Sequence, residues 1–245
     1  MRNSTTGTTV PVMNDYTNES MRLRGRRQGG PPLVLLGALV LAFFVLGMVA
    51  AAALGGITPN PLGSPQTVSG FYRVHGASAV AGAIFLFASS VPLLLYAATA
   101  SARLRQLGVT APGATIALAG GVVASAMLSL SAMLGWVLSR PTVVSDDALV
   151  HGLSTLSFLV GGVAHVVPLG LLVAGIAVPA LILRLLPLAL AWAGLVIAAV
   201  AELSTLSLVV PALAVLLPIA RFPALIWLVV AGALLPNDRR RVDTR

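Results

Sequence analysis

The chain has 245 residues, of which 58% are hydrophobic and only 9% are charged. Its polar surface is too small to cover a water-soluble globule, so the lipid bilayer is its expected solvent and partner. The net charge of +8 lies in tails and loops, which favours orientation against an anionic leaflet and no nucleic-acid binding. Cysteine is absent, which excludes disulfides, thiolate metal sites and thiol catalysis.

Apolar runs predict an all-α fold, a polytopic bundle of six transmembrane helices. Crossing about 30 Å of hydrocarbon takes roughly 20 helical residues. The predicted spans are residues 33–54, 74–100, 114–138, 151–184, 188–206 and 209–235. Three domains follow: a disordered cytoplasmic tail over residues 1–32, the membrane domain over residues 33–236 and a basic cytoplasmic tail over residues 237–245.

Arginine placement predicts the orientation of the spans. One side holds most of the arginines that flank predicted helix ends: Arg22, Arg24, Arg26, Arg27, Arg103, Arg105, Arg184, Arg239, Arg240 and Arg241. The other side holds Arg73 and Arg140, in outer loops over residues 55–73 and 140–149. The positive-inside rule then predicts a multi-pass protein of the inner (plasma) membrane with both termini cytoplasmic. Arginine supplies all 15 basic residues, which indicates a GC-rich bacterial genome.

The fourth predicted span shares a pattern with the second at an ungapped offset of 76 residues. His-Gly-x-Ser followed by Val-Pro-Leu begins at His75 and again at His151. The pattern predicts a parallel repeat of helices 2–3 and 4–5, with coincidence between two Ala- and Leu-rich helices as the alternative. In the third span, small residues at four-residue intervals predict close helix packing: Gly113, Ala117, Gly121, Ser125 and Ser129.

The three histidines are the first candidate site. His75 and His151 are predicted at the outer ends of their helices, where two neutral imidazoles could hold a metal ion or a haem iron. His165 lies fourteen residues after His151, a spacing that resembles membrane b-type cytochromes with two stacked haems. Those need four histidines, and Ser89 stands where the first copy would carry a partner for His165. The alternative, which is favoured, gives the histidines structural roles as helix caps or as donors to carbonyls freed by proline.

Glu202 and Arg221 form the second candidate, a buried polar pair. Arg221 is predicted in the middle third of helix 6, where an arginine costs about 2.5–3.5 kcal/mol on insertion scales and needs a partner or a water-filled cavity. Glu202, predicted in the outer half of helix 5, is the only acidic residue within a predicted span. The pair is either a structural salt bridge or a substrate or proton site.

Catalytic and nucleotide-binding signatures are absent from the sequence, which favours a non-enzymatic role. The first functional hypothesis is a membrane-embedded partner or a minor transporter, with a membrane protein or a second copy of the chain as partner. Transport would require a polar cavity that reaches Glu202 or Arg221. The second hypothesis is a haem- or metal-binding redox protein that uses His75 and His151.

Several segments between residues 105 and 236 carry a family resemblance: GATIALAGG, WVLSRP, HVVPLGLLVAGIAVPALILRLLP, LAWAGLVIAAVAELSTLSL and PIARFPALIWLVVAGALLP. They resemble a group of bacterial six-helix membrane proteins classed under a domain of unknown function. The resemblance implies a small inner-membrane protein with no established activity. This chain departs from that group at the start of helix 5, where Leu188 and Ala189 replace an arginine and a tryptophan.

Overall fold

The computed structural model describes residues 30–55 and 58–236. In these residues the helices, in chain order, are α1 (Leu33–Gly55), α2 (Pro65–Val74), α3 (Gly76–Gln106), α4 (Gly113–Val137), α5 (Pro141–Val144), α6 (Asp147–Gly161), α7 (Val163–Ile182), α8 (Leu188–Leu203), the 3-10 helices η1 (Ser204–Leu208) and η2 (Pro211–Val215), and α9 (Leu216–Leu234). The predicted tails over residues 1–32 and 237–245 lie outside the described residues, except for residues 30–32.

Six segments are long and apolar enough to cross a membrane, which confirms the predicted all-α fold of a multi-pass membrane protein. They are Leu33–Gly55, Gly76–Gln106, Gly113–Val137, Asp147–Ile182, Leu188–Leu208 and Pro211–Leu234. The helices that form these spans pack in chain order, and the last returns to the first. α3 packs against α1 and α4, α7 against α4 and α8, and α9 against α8 and α1.

Small residues set the closest helix contacts. A Cβ atom on Gly121 would lie 2.2 Å from the Cβ atom of Ala97 in α3, and one on Gly175 of α7 would lie 2.4 Å from the backbone nitrogen of Ala117. Ser125 donates a hydrogen bond of 2.7 Å to the Ser90 carbonyl. The predicted ridge of small residues on α4 is therefore confirmed at these positions, because only side chains of this size let the backbones approach so closely.

The chain departs from the predicted helices where backbone chemistry interrupts the apolar pattern. The fourth span is two helices, α6 and α7, which meet at Gly162. The fifth and sixth spans are joined through η1 and η2, so the α-helices there are shorter than predicted. The first outer loop contains α2, which begins after Ser64; the Ser64 hydroxyl caps the helix by accepting from the Thr67 amide, and Pro65 occupies the first turn.

The ends of α3 and α7 are each followed by a residue in the left-handed backbone conformation. These two residues lie 76 positions apart, which is the offset of the predicted repeat. α3 ends before Gly108 (φ 94°), and α7 ends before Arg184 (φ 51°). At both ends an amide bonds back five residues, Val109 to the Leu104 carbonyl at 3.0 Å and Leu185 to the Ala180 carbonyl at 2.9 Å. This is the backbone pattern of a Schellman cap, in which glycine is usual and arginine is costly. The matching ends are a further likeness between the two predicted copies, beyond the shared sequence pattern.

Candidate functional site

The candidate site begins at the break between α6 and α7. Gly162 has φ −86° and ψ −103°, outside the helical region, and a Cβ atom there would lie 2.4 Å from the Phe158 carbonyl oxygen. In a continuous helix the Gly161 carbonyl would accept from the His165 amide, but that amide bonds to Gly162 at 3.2 Å. The Gly161 carbonyl is thus left for a partner outside its own helix.

Arg221 supplies that partner. Its guanidinium donates a hydrogen bond to the Gly161 carbonyl, and its central carbon lies 5.4 Å from the ring centroid of Phe44. Both contacts suit a cation inside a membrane: a carbonyl dipole in a low-dielectric setting and an aromatic face. Arg221 Nε has no hydrogen-bond partner among the described residues. The guanidinium therefore keeps unused donor capacity.

A two-lobed cavity lies beside this arginine. The lobes have volumes of about 390 Å³ and 400 Å³, and they share lining residues that include Arg221. The lining extends from Thr58 and Tyr72, near the span ends that are predicted to be outer, to Gly162 at the break. Gly161 is fourteen residues from the start of α6, which places the inner end about 21 Å along that helix. We call this space the outer cavity.

Hydroxyl groups form the remaining polar surface of the outer cavity. The Ser131 hydroxyl donates to the Ser157 carbonyl at 3.0 Å, and the Ser157 hydroxyl donates to the Ser131 carbonyl at 3.2 Å. Tyr72 from α2 and Ser154 from α6 both line this space. Burial raises the pKa of the Tyr72 hydroxyl, and the neighbouring Ser154 side chain offsets part of that rise. This phenol is therefore neutral at physiological pH.

An ion pair holds α2 against the second outer loop. The Arg73 guanidinium lies 2.6 Å from an Asp147 carboxylate oxygen, and Arg73 Nε donates to the Val144 carbonyl at 2.8 Å. Both side chains are about half exposed, so the ion pair itself contributes little stability, in the range of about 0–1 kcal/mol. Its effect is positional, because it fixes the helix that carries Tyr72.

In comparisons with known proteins, no family model, no curated protein and no solved structure matches the chain. The resemblance to a group of six-helix membrane proteins thus adds no assigned family. What the fold establishes is a multi-pass membrane protein.

The predicted pair of Glu202 and Arg221 is not brought together. The described residues contain one ion pair, between Arg73 and Asp147. Glu202 is exposed near the end of α8, whereas Arg221 bonds to the α6–α7 break. The physical reason is the break itself: Gly161 offers an unpaired carbonyl, which accepts a hydrogen bond from Arg221 in place of the Glu202 carboxylate.

The three histidines lie outside both lobes of the outer cavity. His75 ends α2, with its Nδ1 3.2 Å from the Phe71 carbonyl, and its ring lies against the Phe71 ring. His165 is buried, and its Nδ1 lies 2.8 Å from the Ala124 carbonyl. Nδ1 of His151 is buried with no hydrogen-bond partner in the described part of the chain.

Haem or metal ligation by these histidines stays a prediction. A carbonyl bond at Nδ1 leaves Nε2 of His75 and His165 available as a ligand atom. Across residues 30–55 and 58–236, however, no three histidine, cysteine or acidic side chains are grouped to hold a metal ion. The outer cavity uses hydroxyls that sequence reasoning did not select, at Tyr72, Ser131, Ser154 and Ser157. The adjacent glycines within one apolar run, Gly161 and Gly162, were the one sequence signal for this site, and it is a signal that close helix packing shares.

Proposed function

We propose that this protein binds a small molecule in the outer cavity and works as a carrier or as the ligand-binding subunit of one. The observation that carries this proposal is the cavity that reaches Arg221 deep within the membrane domain. Transport was the hypothesis that required such a cavity. The cavity volume also fits, since sites for small ligands occupy about 300–1,000 Å³.

The discontinuous fourth span supports a ligand site at this depth. Membrane carriers often build their binding sites from interrupted helices, because the interruption exposes backbone groups that a continuous helix keeps paired. Gly161 and Gly162 line the outer cavity at the break. Irregular backbone at membrane depth is tolerated where it is buried in protein or lines a water-filled space, and this break meets that condition.

The proposal also covers the membrane in which the protein lies and its orientation there. We place the protein in the bacterial inner membrane with both termini cytoplasmic, on the distribution of arginine along the chain. The cavity then opens toward the outside. Membership of the six-helix group and association with a membrane partner or a second copy are also part of the proposal. A non-enzymatic role fits a cavity whose polar groups are hydroxyls and one guanidinium.

Cysteine labelling tests the cavity directly, because the chain has no cysteine of its own. We expect Ser157→Cys to react with small, membrane-impermeant methanethiosulfonates added from outside, whether anionic or cationic. Ser157 lines both lobes, and only a water-exposed thiol forms the reactive thiolate. The measurement is the labelling rate in sealed vesicles of known orientation.

Ser129→Cys is the matched control. Ser129 lies on α4, bonds only to its own helix at the Ala126 carbonyl and lies outside both lobes. A Ser157→Cys protein that is labelled no faster than the Ser129→Cys protein would overturn the proposed function.

A further inference from the structure

Arg221 is the one charged side chain among the described residues that line the outer cavity, and it is positive. Arg221 lines both lobes, and no aspartate or glutamate lines either of them within the described residues. The other polar side chains of the lining are neutral hydroxyls, at Thr58, Tyr72, Ser78, Ser131, Ser154 and Ser157. A cation in a low-dielectric cavity without a counter-charge attracts anions and repels cations.

The hydrogen bonds of Arg221 also favour an anionic ligand. One terminal nitrogen bonds to the Gly161 carbonyl, and Nε has no acceptor among the described residues. A neutral carbonyl leaves the positive charge uncompensated, which is costly within the hydrocarbon region. Carboxylate and phosphate oxygens would supply both the missing hydrogen-bond acceptor and the missing negative charge. Guanidinium donors form strong charge-assisted hydrogen bonds with them.

The walls of the cavity are apolar around this single cation. Phe44, Met48, Leu86 and Phe158 line it, with Leu128 and Leu217 farther round. A fully hydrated inorganic ion would lose water against these walls and gain few contacts in return. An apolar body attached to the anionic group would instead gain from burial, at about 25 cal/mol per Å².

We infer that the ligand of the outer cavity is a small organic anion, a carboxylate or a phosphate monoester on an apolar body, with its acidic group on the Arg221 guanidinium. The inference rests on the proposed function and names its ligand class. The same anionic group occurs on soluble metabolites and on lipid headgroups. Its source is settled by the second arm of the experiment.

The first arm measures binding by calorimetry to the full chain in nanodiscs of zwitterionic phosphatidylcholine. The probes share an eight-carbon body: octanoate, octyl phosphate, neutral octanamide and cationic octylamine. We expect saturable binding of the two anions, at least tenfold tighter than of octanamide, and none of octylamine. Arg221→Gln should weaken anion binding at least tenfold, and Arg221→Lys should weaken it less because the charge remains. Arg140→Gln is the control, since Arg140 stacks on Trp136 at the outer surface, 3.9 Å from its ring centroid.

The second arm repeats the octanoate titration with anionic phosphatidylglycerol added to the nanodiscs. Loss of octanoate binding to wild type, with no such effect on the residual binding to Arg221→Gln, assigns the site to a lipid phosphate. Unchanged binding assigns it to a soluble anion. Both results support an anion site, and they differ only in its source.

Labelling of Ser157→Cys gives a test that leaves Arg221 intact, so it does not depend on the folding of the Arg221 variants. An anionic methanethiosulfonate should react at least tenfold faster than a cationic one of similar size, after correction for their rates with a free thiol. Equal rates, or octanamide binding as tightly as octanoate, would overturn the anion inference and leave the cavity and the proposed function standing. No labelling with either reagent would overturn both.

Discussion

Several polar side chains in this bundle donate hydrogen bonds to backbone carbonyls of neighbouring spans. Ser89 donates to Val40, and Tyr96 donates to Leu228, at 2.9 Å and 2.7 Å. Further bonds of this kind come from Ser78, Ser125, Ser131, His165, Arg221 and Trp227. Carbonyl oxygens have a second lone pair, so each bond joins two helices without breaking either ladder. Ser89 and His165, which match at the repeat offset, both bond to the preceding span.

Ser89→Ala tests the energy of such a bond. We expect it to lower the free energy of unfolding by about 0.6–1.7 kcal/mol, since it removes a hydrogen bond between α3 and α1. Ser90→Ala is the matched control, because the buried Ser90 hydroxyl bonds only within its own helix, to the Phe87 carbonyl. Reversible unfolding in mixed micelles would measure both variants. A larger loss for Ser90→Ala than for Ser89→Ala would contradict this account.

At the scale of elements, the six spans could be predicted from the sequence because lipid leaves helix as the available backbone structure for so long an apolar run. The break at Gly162 could not. Adjacent glycines in an Ala- and Leu-rich run also suit close packing, and Gly175 and Gly121 are used in that way. The first copy of the repeat carries Phe85 and Leu86 where the second carries Gly161 and Gly162, and its helix is continuous.

The candidate site was predictable only in part, for a related reason. Arg221 stood out because charge is rare in lipid, and the need for a cavity or a partner followed from its cost. The direction of its side chain depends on how α9 is rotated about its axis. The sequence of α9 is apolar on all sides, so it does not predict that rotation. Glu202 was therefore chosen as the partner because it is the only acidic residue within a predicted span.

Gly162→Ala tests the break. The added methyl would lie 2.4 Å from the Phe158 carbonyl oxygen, a backbone atom that moves only with its helix. We expect a loss of about 1–3 kcal/mol in stability, as for overpacked cores, together with slower labelling of Ser157→Cys. Gly152→Ala in the same helix is the control, since its methyl would meet nothing within 4 Å. Equal stability of the two alanine variants would show that the break does not depend on glycine.

At the scale of the whole molecule, the first and last spans lie side by side and antiparallel. A Cβ atom on Gly37 would lie 3.2 Å from the backbone of Val229, and one on Gly232 would lie 2.9 Å from the backbone of Leu33. The start of α1 and the end of α9 are thus at the same face of the bundle. An even number of spans requires that both ends of the bundle lie at the same face.

Reporter fusions test which face that is. We expect alkaline phosphatase to be inactive and green fluorescent protein to be fluorescent at both ends of the chain, because the arginine-rich ends stay in the cytoplasm. A phosphatase fused after Ser145, in the second outer loop, should be active and serves as the positive control. Activity at one end of the chain and not at the other would contradict six spans.

The contact between α1 and α9 joins the first span to be synthesised with the last one. Gly37 leaves the ribosome about 190 residues before Val229, which at about 5–20 residues per second is a delay of roughly 10–40 s. Gly37 and Leu33 can therefore meet their partners on α9, Val229 and Gly232, only after every other span of the bundle has been synthesised.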